Sequence, residues 1–152
     1  MTRGNNTVEL SAEIAAQPAV VWRALTDPDI TEQYFYNARI ESRWTSGSPI
    51  VFRSRFLGFI RFTLRGEIVR IVPERELQYK LFHHRFFGKP SRSEHSLVTM
   101  RLSSSGRSTR LTIADDVGST KGAERRYARS VKGWKKIVEG LAHVVASDAT
   151  RS

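Results

Sequence analysis

Cysteine is absent from this chain, which excludes a disulfide framework, a thiolate nucleophile and any thiolate-ligated metal. Stability must therefore come from a core, and 152 residues are enough for one domain to bury a substantial one. No run approaches the ~20 consecutive apolar residues of a membrane span, and Met1 to Gln17 contains no apolar stretch of the signal-peptide type. The expectation is a cytoplasmic protein without a membrane span. Several catalytic signatures are also missing: a serine-centred nucleophile elbow, a Gly-rich phosphate loop and a helical His-x-x-x-His pair. His83-His84, His95 and Asp115-Asp116 invite a metal reading. Neighbouring residues on a strand face opposite ways, however, so no metal and no cofactor is expected.

Acidic residues are scarce relative to basic ones: 15 Asp and Glu stand against 25 Lys and Arg, a formal charge of +10. Arg39 and Arg43, Arg53 and Arg55, and Arg61 and Arg65 fall in segments of alternating polarity. They are expected on the outer face of adjacent strands, a basic surface able to attract an anionic partner weakly. No aromatics interleave with them on that parity to stack bases, so specific nucleic-acid binding is not expected.

What is present reads as a β-α-α-β-β-β-β-β-β-α order. The spacing predicts a first strand at 8–14, a helix opened by Pro18 with Val21, Trp22 and Leu25 inward, and a second helix at 28–34. Strands follow at 36–44, 49–56, 59–72, 76–84, 95–103 and 108–116, the spacing of an antiparallel meander. Thr45-Ser46-Gly47-Ser48-Pro49 supplies one hairpin turn, and Phe86 to Ser91 a longer loop. Tyr34-Phe35-Tyr36 is expected to plug one end of the core. In the fourth strand Ile60, Phe62 and Leu64 share a parity that Val69 and Ile71 leave, which predicts a bulge or bend near Gly66.

The last helix is amphipathic, about six turns long, with Tyr127, Val131, Trp134, Val138, Leu141 and Val145 on one side. Gly133 and Gly140 lie seven apart on nearly one face. They allow either close packing against the sheet or cavity space beneath the helix. The ends, 1–7 and 147–152, read as flexible tails of a single domain spanning 1–152.

Pro18, Val21-Trp22, Ala24-Leu25-Thr26-Asp27-Pro28, Trp44, Gly47-Ser48-Pro49-Ile50-Val51, Gly66-Glu67-Ile68, Ile71-Val72-Pro73, Leu77 and Gly133-Trp134 together resemble the activator-of-Hsp90-ATPase-homologue family. That family belongs to the START-like, or SRPBCC, superfamily. The resemblance implies an α+β helix-grip fold of the birch-pollen-allergen type, in which a curved antiparallel sheet of about seven strands surrounds a long C-terminal helix. It also implies a largely apolar space between sheet and helix.

Parity and helical phase assign Trp44, Phe52, Phe62, Leu64, Leu77, Tyr79 and Leu81 to that space from the first strands of the meander. Val98, Met100, Leu111 and Ile113 join them from the last strands, and Tyr127, Trp134, Val138 and Leu141 from the helix. A small hydrophobic or amphipathic ligand is the expected partner, for a monomer or homodimer. The alternatives are a protein-interaction module that regulates a chaperone and a polyketide-cyclase-like enzyme. No catalytic set is legible, and only Tyr79 and His83, on the inward parity with Leu77 and Leu81, could serve an acid-base role.

Overall fold

The computed structural model describes residues 6–83 and 91–149, the side chains of 83, 91–94, 148 and 149 excepted. Its elements follow the expected order: β1 (Thr7–Ile14), α1 (Pro18–Thr26), α2 (Pro28–Tyr34), β2 (Ala38–Ser42), β3 (Pro49–Phe56), β4 (Ile60–Val72), β5 (Glu76–His83), β6 (Ser91–Ser105), β7 (Ser108–Asp116) and α3 (Ala123–Ala149). The strands form one antiparallel sheet in the order β1-β7-β6-β5-β4-β3-β2. This is the helix-grip architecture. Of the loop expected at 86–91, residues 86–90 lie outside the described residues, and Ser91 opens β6.

Local chemistry fixes the two short helices. Pro18 occupies the start of α1, where its missing N–H costs nothing. Val21, Ala24 and Leu25 are buried, while Trp22 is only half-buried. Asp27 ends α1 and caps α2, its Oδ1 accepting the Asp29 N–H at 2.9 Å. Thr31 is fully buried because its hydroxyl bridges elements. The Thr31 Oγ1 donates to the Ala38 carbonyl at 2.9 Å and accepts the Ile40 N–H at 3.1 Å, tying α2 to β2.

Several details differ from expectation, among them β6, which runs from Ser91 to Ser105 rather than over 95–103. β2 stops at Ser42 because Trp44 takes a left-handed backbone (φ 56°), as do Tyr36 and Asn37 before the strand (φ 49° and 59°). The irregularity in β4 lies between Ile68 and Arg70, a few residues beyond Gly66. Gly66 has a different reason: a Cβ there would overlap the Lys80 carbonyl oxygen of β5. Finally, α3 continues through residues 147–149, which were expected to be flexible.

The core lies between the concave sheet face and α3, and includes Ile14, Ile50, Ile68, Leu111, Leu141 and Val145, each nearly inaccessible. Gly140 brings α3 against α2 rather than against the sheet, since a Cβ would stand 2.8 Å from the Tyr34 Cβ. At Gly133 the nearest group would be the Tyr36 hydroxyl at 3.6 Å, an ordinary contact.

Candidate functional site

Five aromatic rings meet between sheet and helix. Phe35 packs on Tyr34, Phe52 and Trp134 at centroid distances of 6.2, 5.8 and 5.8 Å, and Phe52 continues to Tyr79 at 5.6 Å. These are the separations at which ring edges and faces attract. The Tyr34 hydroxyl leaves the cluster to donate to the Ala24 carbonyl at 2.6 Å. Tyr36, expected as part of the plug, turns outward and is about half exposed, with Lys136 Nζ 5.6 Å from its ring centroid.

Within the cluster is a cavity of about 10 Å³, lined by Leu25, Tyr34, Phe35, Ile40, Trp44, Ile50, Phe52, Leu77, Tyr79 and Met100. One water is the most it holds. Eight of these ten residues are buried; Phe35 and Trp44 are half-buried and close the cavity from outside.

The floor is polar. Tyr79, Val98 and Asp115 are consecutive cross-strand partners on β5, β6 and β7, so their side chains share the concave face. The backbones of Tyr79 and Asp115 are two strand spacings apart, about 10 Å. Asp115 is buried, and its Oδ2 accepts from Ser130 Oγ at 2.6 Å and Trp134 Nε1 at 2.9 Å, both on α3. Its Oδ1 is buried without a hydrogen-bond partner among the described residues. Burial pushes the Asp115 carboxyl above its ordinary range, the Ser130 and Trp134 bonds oppose that, and the neighbouring Asp116 charge adds to it. Burial, then the Asp115 and Tyr34 charges, push the Tyr79 hydroxyl well up. Tyr79 thus stays protonated at neutral pH, and the Asp115 carboxyl is a weaker acid than an ordinary aspartate.

The expected lining residues separate into groups. Phe52, Leu77, Tyr79, Val98, Met100, Leu111, Ile113, Trp134 and Leu141 are buried in the core, while Trp44, Leu64, Leu81 and Val138 pack half-buried against it. Tyr127 is half-buried outside that cluster. Phe62 keeps the inward parity but lies where the β3–β4 hairpin projects past the core, and is 38% exposed. The His83 side chain lies outside the described residues. The expected lining left out Leu25, Tyr34, Phe35, Ile40 and Ile50, and it left out Asp115, the buried carboxylate on the same sheet face. The signal for Asp115 was available: it continues the two-residue alternation of Leu111 and Ile113, so a carboxylate falls on a core-facing parity.

An open groove of about 640 Å³ lies on the opposite sheet face among Arg39, Arg53, Arg55, Arg61, Asn37 and Glu32. It is larger than the interior space but carries no apolar enclosure. Among the described residues no cluster of three metal-ligating side chains occurs, and no helix is long and apolar enough to cross a membrane.

Solved structures share this fold. A protein of Mesorhizobium loti is 23% identical with a TM-score of 0.76, the match covering 93% of this chain and 97% of that one. One from Arthrobacter aurescens is 17% identical with a TM-score of 0.77, covering 93% and 86%. One from Cytophaga hutchinsonii is 24% identical with a TM-score of 0.72, covering 95% and 96%. No curated protein matches the sequence. The sequence pattern described as activator of Hsp90 ATPase homolog 1-like protein matches residues 15–146, nearly the whole of the described fold, and the chain belongs to that family.

Proposed function

We propose that the protein binds a small hydrophobic or amphipathic molecule between the sheet and α3, with its polar end on Asp115 and Tyr79. The observation that carries this reading is the partnerless Asp115 Oδ1 beneath an aromatic cluster. A buried acceptor without a donor costs about 1–3 kcal/mol, and a ligand hydroxyl or amine would satisfy it. The closed cavity is far smaller than the ~300 Å³ of a small ligand site, so binding requires displacement of Phe35 and Trp44, the two lining residues that reach solvent. Left-handed residues flank both doors, at Tyr36 and Asn37 and at Trp44 itself.

Native mass spectrometry of purified protein, followed by titration with the apolar probe anilinonaphthalene sulfonate, tests the proposal. The expected result is a retained small molecule or saturable probe binding that Phe35→Ala strengthens and Asp115→Leu alters. A folded protein that retains nothing and does not saturate with probe would refute it.

One observation favours a second reading. The interior is packed nearly solid, as in a module that works through its surface, here a regulator of a chaperone or another macromolecule. Stimulation of Hsp90 ATPase activity by the purified chain would support that reading. A cyclase-like reaction, the third, would take its proton donor from Tyr79 and its acceptor from Asp115.

A further inference from the structure

Left-handed positions in a hairpin turn favour glycine, asparagine or aspartate. The β3–β4 tip carries Leu57-Gly58, both left-handed (φ 53° and 78°), closed by the Phe59 N–H donating to the Phe56 carbonyl at 3.3 Å. A bulky leucine in this conformation is strained, and it is 80% exposed. Neither packing nor the turn explains it.

The leucine is not alone. Of the eight exposed large hydrophobic residues among those described, Val20, Tyr36, Phe56, Leu57, Phe59, Ile60, Phe62 and Val69, five fall within residues 56–62. Scattered apolar residues need no explanation, but a contiguous apolar projection marks an interaction site. Arg55 and Arg61 stand directly opposite each other behind the tip, with no acidic partner among the described residues. Like charges so placed repel. Arg39 and Arg53, deeper in the same face, are already paired with Asp29 and Glu41 at 2.7 Å.

We propose that this hairpin tip docks on an anionic lipid surface, Leu57 and Phe59 entering the headgroup layer while Arg55 and Arg61 pair with lipid phosphates. An apolar tip backed by unpaired arginines has the polarity of a membrane-interface element. A second copy is a poorer occupant, because a two-fold contact through the same patch would bring four arginines together in a chain of net charge +10. The inference is independent of whether the interior takes a ligand.

Co-sedimentation of the full chain with vesicles of phosphatidylcholine, alone or mixed with phosphatidylglycerol, tests it. Partition onto the mixed vesicles only, weakening with salt, is expected. Leu57→Asn suits the left-handed turn position and Phe59→Thr places a polar residue just before β4; together they should lower partition at least about tenfold. Arg55→Gln with Arg61→Gln should lower it roughly thirtyfold. Both double variants should keep the wild-type circular dichroism and melt at or above the wild-type temperature, since one relieves the strained leucine and the other the Arg55–Arg61 repulsion. Failure of the wild type to partition, or equal partition by folded variants, would overturn the proposal. A wild-type dimer in analytical ultracentrifugation that the Leu57→Asn, Phe59→Thr variant dissociates, without vesicle binding, would assign the tip to a second copy instead.

Discussion

Asp115 sets the chemistry of the interior because it is a carboxylate on a position that the strand alternation assigns to the core. Below the ordinary carboxylate value near 3.8 it is protonated in both folded and unfolded chains. As pH rises past that value the unfolded chain releases this proton first, so the folded chain holds more protons and its stability falls. The fall ends once the folded carboxyl has ionised too. Asp115→Asn should remove this decline from the acid side toward neutrality while keeping an oxygen for Ser130 and Trp134. Urea unfolding of both proteins across a pH series checks it, and parallel profiles would show that Asp115 titrates normally. Trp134→Phe keeps the ring packing but deletes the Nε1 donor. It should cost about 1–3 kcal/mol, more at neutral than at acid pH, because only the ionised carboxylate depends strongly on that bond.

The two helix glycines, equivalent on a helical wheel, separate when α3 is placed in the fold. Gly140→Ala would push a methyl into Tyr34, whose Cβ cannot yield without moving α2, and overpacking of this kind costs about 1–3 kcal/mol. Gly133→Ala meets only the Tyr36 hydroxyl at contact distance and should stabilise α3 by up to ~1 kcal/mol through helix propensity. Thermal melts of the two single variants should therefore shift in opposite directions. Helical spacing revealed that both residues were special but not which neighbour each would meet, since the neighbour belongs to α2 and to the segment after it. The same limit explains Trp44. Its type and parity suggested an inward strand residue, whereas it reaches the cavity from a left-handed turn that alternation cannot encode. Phe62 had the correct parity, yet parity does not report where the partner helix ends.

For the whole molecule, the order of elements and the meander were legible because most strands keep their alternation, most turns carry a glycine or proline, and α3 keeps its apolar stripe. The size of the interior was not legible, since it depends on how Phe35, Phe52, Tyr79 and Trp134 interlock after the sheet curves. Charge was legible as a sum but not as a pattern. Among the described residues Arg39 and Arg53 meet carboxylates across neighbouring elements, whereas Arg43, Arg55, Arg61 and Arg65 are exposed without an acidic partner, Arg55 and Arg61 side by side in the groove. This division predicts the behaviour toward nucleic acid. A surface offering a few phosphate contacts, with its exposed rings gathered at one hairpin tip rather than interleaved along the arginines, binds mainly through counterion release. Fluorescence anisotropy with unrelated DNA duplexes should therefore show weak association, the same for each sequence, that vanishes as salt approaches physiological strength and the Debye length shortens to about 8 Å. Arg55→Gln with Arg61→Gln should reduce both the affinity and the salt slope, whereas Arg39→Gln should change little because its charge is already spent on Asp29 and Glu32. Tight binding of one sequence at physiological salt would make the basic face, rather than the aromatic interior, the working surface of this protein.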